Sequence, residues 1–230
     1  MIVSIHQPNY IPWLGFFHKI VQSDVYVSLD IVQFTKNSFQ NRNKIKTANG
    51  EMWLTVPVLT KNKFGQITNE AEINNSVSWG RGHCRSIRQN YGKAAYFKFF
   101  IEFFETVYMD ENFTKLVDLN ETILKFINKT LGIRSKFIKA SSLGVQGQGT
   151  ELLVEICKTI GADTYLSGSG GKKYLEEQRF KDEGIQLIYD NFQHPIYDQL
   201  FGPFLPNLSI IDLIFNHGSL SFDILLGGRR

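Results

Sequence analysis

Two short stretches hold most of the residues whose types and spacing could do chemistry. The first is Leu166-Ser167-Gly168-Ser169-Gly170-Gly171-Lys172-Lys173, read as a turn between a short strand and a helix. Backbone N–H groups bared by a glycine turn, the positive end of a following helix and two lysines all favour a phosphate or carboxylate. Ser167, Gly168, Ser169, Gly170, Gly171 and Lys172 are therefore expected to hold an anion, although an unliganded strand-to-helix loop would look the same. The loop is not a Walker A motif, which would need Gly where Leu166 stands and Ser or Thr where Lys173 stands.

The second stretch is His6-Gln7-Pro8-Asn9-Tyr10, expected at the C-terminal end of the first strand. In a parallel sheet that edge is where ligands bind. His6 titrates near neutrality and is a candidate general base or acid, while Gln7, Asn9 and Tyr10 can orient a ligand without changing charge. A structural hydrogen bond is the alternative role for His6. A third group lies on one helix, where Trp79, His83, Ile87 and Asn90 fall within a quadrant and Arg81, Arg85 and Arg88 share the opposite face. His83 and Asn90 are read as facing a polar pocket, with His83 a second candidate base; capping of buried backbone groups is the other reading. The arginine face reads as solvated, or as a basic surface together with Lys36, Arg42, Lys44 and Lys46. The five histidines are scattered, with no HxH or HExxH spacing, so neither a metal nor a cofactor is expected.

The elements that must position these residues read as strand 2–5, helix 13–21 and strand 25–29. That order implies a parallel sheet, because parallel strands need a crossover. A hairpin over 41–58 turns at Ala48-Asn49-Gly50-Glu51, with its second strand at 52–58. Helical periodicity then predicts helices near 78–92, 95–108 and 112–131, a helical insertion over 77–132 in a single α/β domain spanning 1–230. Alternation resumes with strand 136–139, helix 150–160 stopped by Gly161, strand 164–166, helix 172–180 and strand 185–189. A Pro-rich loop over 194–206 leads to a helix opened by Ser209, with Asp212 as a weak capping-box partner and Gly218 as its stop. The closing GGRR reads as a frayed tail.

Composition narrows the function classes. Of 230 residues, 43% are hydrophobic and 13% aromatic, enough for a bulky core and incompatible with a disordered or collagenous chain. The net charge of +3 is too small to argue for nucleic acid. Residues 1–100 carry 12 basic and 5 acidic side chains and residues 101–230 carry 13 and 17, which places any anionic partner nearer the N-terminal half. Cys84 and Cys157 show no ligand or disulfide spacing, no apolar run could span a bilayer and no signal peptide opens the chain. A cytoplasmic location is expected.

With these residues collected, the chain resembles the WbqC-like family, whose members occur in bacterial gene clusters for surface polysaccharides such as O-antigen. The likeness rests on IHQPNYIPWLGFFHKI, FQNRNKIK followed by EMWLTVPV, WGRGHCRSIRQNY, TYLSGSGGKKYL and HPIYDQLFGPFLPNLSIIDLIFNHG. It implies a role in assembling or modifying an activated sugar, by acyl or aminoacyl transfer among other routes. A more distant likeness is to nucleotidylyltransferases with an HxGH motif, which implies a Rossmann-like parallel sheet. Trp13 and Phe16 stand where both histidines of that motif belong, so the likeness extends to the fold and not to the reaction.

The expectation is thus a transferase that binds a phosphate-bearing donor, either a nucleotide-sugar or an acyl or aminoacyl thioester. The Ser167–Lys172 loop would hold the phosphate, His6 or His83 would take the acceptor's proton, and Lys19 and Arg42 would offset developing negative charge. A carrier protein or another enzyme of the pathway is the expected macromolecular partner. The alternative is a non-catalytic protein of the same pathway that binds a nucleotide-sugar or acts as a scaffold; an RNA-binding module on the basic N-terminal half is a weaker third reading.

Overall fold

The computed structural model describes residues 1–110 and 113–228; the expected start of the third inserted helix, at 112, and Arg229 and Arg230 of the tail lie outside the described residues. The chain forms two compact units, one of residues 1–8, 15–32 and 133–193, the other of 9–14, 33–132 and 194–230.

In the first unit the apolar opening residues form β1 (Ile2–His6), followed by α1 (Leu14–Val21) and β2 (Val25–Ser28). The unit is completed by β5 (Lys136–Lys139), α5 (Gly149–Ile160), β6 (Thr164–Ser167), α6 (Glu177–Asp182) and β7 (Gln186–Tyr189). The five strands make one parallel sheet in the order β5-β2-β1-β6-β7, which bears out both the parallel sheet expected from the βαβ start and the Rossmann-like α/β fold that the resemblance implied. All four residues of β2 are buried, as in a sheet covered on both faces, where strands read as continuous apolar runs. Val3 and Ile5 share a core with Leu152, Ile156 and Cys157 of α5, and Gly161, at φ 72°, ends that helix as expected.

The helix expected over 172–180 is a correction. Ser169–Lys173 is a 3₁₀ turn, and α6 opens only at Glu177. Two consecutive glycines each cost about 1 kcal/mol in an α-helix, and here the chain closes i→i+3 bonds instead: Gly171 N–H donates to Gly168 O (2.9 Å) and Tyr174 N–H to Gly171 O (3.1 Å). Gly171 is also required by packing, since a Cβ there would lie 2.2 Å from Ser167 Oγ.

The second unit contains the hairpin β3 (Arg42–Thr47) and β4 (Gly50–Thr55), then α2 (Trp79–Tyr91), α3 (Phe97–Glu105), α4 (Leu116–Leu131), α7 (Ile210–His217) and α8 (Ser221–Leu225). The hairpin turns at Ala48-Asn49, with Gly50 at φ 106° paired to Thr47. Its second strand stops at Thr55 rather than 58, because Pro57 has no N–H for a ladder. The helix expected to run to 108 leaves α geometry at Glu105 and widens into a π turn over Thr106–Asp110. No helix among the described residues is long and apolar enough to cross a membrane.

Asp212 does not complete a capping box. Ser209 caps α7 through Ile211 N–H, whereas the Asp212 carboxylate is fully buried and accepts the Tyr91 hydroxyl at 2.9 Å. Tyr91 Oη in turn accepts Lys46 N–H at 2.9 Å, and Lys46 Nζ donates to Gln199 Oε1 (3.0 Å) and Pro203 O (2.7 Å), fastening the Pro-rich loop. Burial raises the Asp212 carboxyl, and the Tyr91 hydroxyl and the Lys46 charge oppose that rise. Tyr91→Phe removes both bonds to the hydroxyl and orphans a buried carboxylate oxygen and a buried N–H, so it is expected to cost about 2–4 kcal/mol in chemical denaturation. In an Asp212→Ala background the same change is expected to cost measurably less, since the carboxylate is no longer there to be orphaned.

Candidate functional site

The order β5-β2-β1-β6-β7 makes β1 the strand from which the chain winds to both sides, and ligands of open α/β sheets bind outside the C-terminal strand ends at such a switch point. A cavity of about 250 Å³ lies there within the first unit. Ile5, His6 and Gln7 border it from the end of β1, Tyr165 from β6, Tyr174 from beyond the 3₁₀ turn, and Gly149 with Leu152 and Leu153 from the start of α5.

Gly144, Gly147 and Gly149 precede or open α5, at φ 68°, 124° and 54°. Gly147 combines a left-handed φ with a close approach, because a Cβ there would lie 3.3 Å from Leu152 N. Thr150 Oγ1 accepts Glu176 N–H at 3.2 Å, which ties the first turn of α5 to the segment before α6. Three glycines in six residues ahead of an apolar-periodic helix are a signal visible in the sequence. The lysines beside the other glycine turn outweigh it when charge is the criterion.

The Ser167–Lys172 loop is placed differently from its sequence reading. Its residues do not line the cavity, the following α-helix begins five residues after Lys172 and is six residues long, and Gly171 N–H is already bonded to Gly168 O. Ser167 Oγ donates to Gly168 O at 3.2 Å, and Lys172 Nζ sits 5.3 Å from the centre of the Tyr189 ring. Ser169 and Gly170 are exposed.

Around the end of β1 the pleat sorts the side chains. Val3 and Ile5 point into the core shared with α5, which puts Ser4 and His6 on the opposite face, where the His6 ring meets Phe16 edge-on at 5.0 Å. His6 Nδ1 lies 2.9 Å from Gln7 O; a carbonyl only accepts, so Nδ1 carries the proton and Nε2 keeps its lone pair. Burial, with the nearby Lys19 charge, lowers His6 to about 3. Lys19 is itself buried, donates to Ile5 O at 3.4 Å, and is lowered to about 8 by burial, against which Asp190 acts. Asp190 accepts His18 Nδ1–H at 2.9 Å and Gln22 Nε2 at 3.1 Å. Sequence reasoning misses this His18–Asp190 pair. Asp190 directly follows β7 at the same sheet edge as His6, and that position is its one legible signal.

The remaining candidates lie in the second unit. Tyr10 Oη is 2.8 Å from His83 Nδ1 and 2.6 Å from Tyr108 Oη, all buried. His83 also bonds the Thr55 carbonyl, so its other ring nitrogen donates there, Nδ1 accepts from Tyr10, and Tyr10 accepts from Tyr108. Both nitrogens are thus engaged, and burial lowers His83 to about 4. Asn90 Nδ2 donates to Ser86 O at 2.8 Å, a bond within its own helix. Asn9 is buried, and the Arg42 guanidinium stacks 4.3 Å from the Trp53 ring centre beside Lys44. His6, Gln7, Lys19 and Ser167–Lys172 therefore belong to one unit, and Asn9, Tyr10, Arg42, His83 and Asn90 to the other. Among the described residues no group of three His, Cys, Asp or Glu side chains could hold a metal ion.

The two histidines make stability pH-dependent with a defined sign. Each is neutral when folded but takes a proton below about 6.5 when unfolded, so their contribution is full above that pH and is lost as pH falls toward about 4 for His83 and about 3 for His6. The unfolding free energy is expected to fall between pH 6.5 and 5 with a slope of up to about 1.4 kcal/mol per pH unit for each histidine. His83→Gln and His6→Asn should each flatten that slope by about one proton's worth in denaturant titrations.

Residues 7–224 match the WbqC-like protein family. A relative, Uncharacterized protein Rv1507c of Mycobacterium tuberculosis (strain ATCC 25618 / H37Rv), is 36% identical over 226 residues, covering 97% of this chain and 96% of its own length. No solved structure matches the chain. The match over nearly the whole length, with a relative of nearly equal extent, places this chain in the WbqC-like protein family.

Proposed function

We propose that this protein is a cytoplasmic transferase of surface-polysaccharide or sugar-nucleotide modification, which binds a phosphate-bearing donor in the cavity at the end of β1. The observation that carries the reading is the position of that cavity, at the switch point of a parallel sheet and against the start of the 12-residue helix α5. The first N–H groups of a helix lack intrahelical partners and carry the positive end of its dipole, so a donor phosphate has a natural seat beside Gly149. Tyr165 and Tyr174 would flank the body of the donor, and Gln7 would fix its orientation. The donor is a nucleotide-sugar or an acyl or aminoacyl thioester, the latter delivered by a carrier protein.

In this reading His6 Nε2 takes the proton of the acceptor hydroxyl or amine. A base held at about 3 is weak in the free protein; the negative charge of a bound donor would oppose the Lys19 field and raise it toward its ordinary value. Lys19 would balance the charge of the departing group. His83, with both ring nitrogens engaged, and Asn90, whose Nδ2 bonds Ser86 O, serve in the second unit as positioning residues. The low value of His6 equally favours a second reading, a protein of the same pathway that binds the nucleotide-sugar without transforming it.

Tyr174 is 67% exposed, so Tyr174→Ala is expected to leave the melting temperature within a degree or two while weakening donor binding at least tenfold in calorimetric titrations. UDP-sugars and acyl-pantetheine thioesters are the probes. Failure of both classes to bind the wild type would refute the cavity reading. Saturable binding with no product formed from any hydroxyl or amine acceptor, by mass spectrometry, would favour the binding protein.

A further inference from the structure

The arginine face of α2 remains outside that reading, and in the second unit it does not look onto open solvent alone. Arg81, Arg85 and Arg88 recur at i, i+4 and i+7 and border a groove of about 690 Å³, whose other boundaries include Cys84, Glu105 and Met109. Arg88 forms an ion pair with Glu105 of α3 that joins the two helices along the groove. Cys84 is 7% exposed and Met109, on the π turn that follows α3, is 46% exposed. Three guanidinium groups against one carboxylate leave the lining with two positive charges over an apolar base.

We propose that this groove binds a small organic phosphate, a phosphomonoester or diphosphate joined to an apolar body. Guanidinium groups present planar forks that match phosphate oxygens in pairs. Residues four apart on a helix carry their Cβ atoms about 6 Å from one another, so one phosphate or diphosphate can engage the forks of Arg81 and Arg85 together, which a single carboxylate would do poorly. The apolar base of Cys84 and Met109 favours a ligand whose remainder is hydrocarbon rather than polyhydroxylated. The volume lies within the range of small-molecule sites, roughly 300–1,000 Å³. The inference is independent of the cavity at the end of β1.

Octyl phosphate, inorganic pyrophosphate and octanoate, each titrated calorimetrically into the full chain at two salt concentrations, test the proposal. Octyl phosphate is expected to bind tightest, pyrophosphate more weakly and octanoate least, with affinity falling as salt rises. Arg81→Ala/Arg85→Ala should weaken octyl phosphate at least tenfold with an unchanged circular dichroism spectrum, and Arg81→Lys/Arg85→Lys, which keeps the charge and loses the fork, should recover only part of it. Lys93→Ala, a control for general surface charge, should change nothing. Octyl phosphate should also slow alkylation of Cys84 by N-ethylmaleimide; Cys157, fully buried with its thiol raised to about 12, provides the internal reference. Absence of binding, equal loss in the Lys93 control, full recovery with the lysine pair, or octanoate binding as tightly as octyl phosphate would each overturn the proposal.

Discussion

Strand β1 is hydrogen-bonded on both edges, to β2 on one side and β6 on the other, and both of its faces are covered. A strand so placed offers a ligand no access along its length, and its one mid-strand polar residue, Ser4, is fully buried with no hydrogen-bond partner for its Oγ among the described residues. Its chemistry-bearing residues must collect where it ends, at His6 and Gln7. Strand β6 is likewise paired on both edges and delivers Ser167 at its end, while Asp190 directly follows the edge strand β7. The candidate site is thus a consequence of parallel pairing: all five strands point their C-terminal ends to one edge, and the helices that return the chain begin near it.

Burial sets the electrostatics of that edge. The Asp190 carboxylate supports the Lys19 charge against the cost of burial, and His18 and Gln22 supply the hydrogen bonds that a carboxylate of low exposure requires. His6, close to the Lys19 charge, is held neutral. In the second unit the Tyr108–Tyr10–His83–Thr55 chain and the Lys46–Tyr91–Asp212 network follow another rule. The Tyr10 and Tyr91 hydroxyls and both His83 ring nitrogens are engaged by neighbours, and these bonds fix the packing of the aromatic side chains around them.

The two glycine-rich turns show how local chemistry and context diverge. Ser167–Lys172 has the lysines and closely spaced glycines that sequence reasoning associates with phosphate, but its glycines close a 3₁₀ turn and Gly171 packs on the Ser167 hydroxyl. Gly144–Gly149 has no lysine, yet it leads into a long helix at the cavity. The element entered after each turn makes the difference: one continues into α5, the other into a short break before α6.

Hydrophobic periodicity and turn chemistry alone determined the βαβ opening, the hairpin turn near Asn49-Gly50, the presence of helices α2, α3 and α4, the stop at Gly161 and the cap at Ser209, because those signals act over a few residues. His6 and Gln7 were legible for the same reason, since a polar pair directly after an apolar run marks a strand end. Local sequence could not reveal that Asp212 faces Tyr91 instead of its own helix terminus, that His83 has both nitrogens engaged, or that His18 meets Asp190 across 172 residues of chain. Those outcomes depend on which distant side chains share a buried volume. Only tertiary packing decides that, because the cost of an unpaired buried polar atom is set by neighbours that sequence distance does not report.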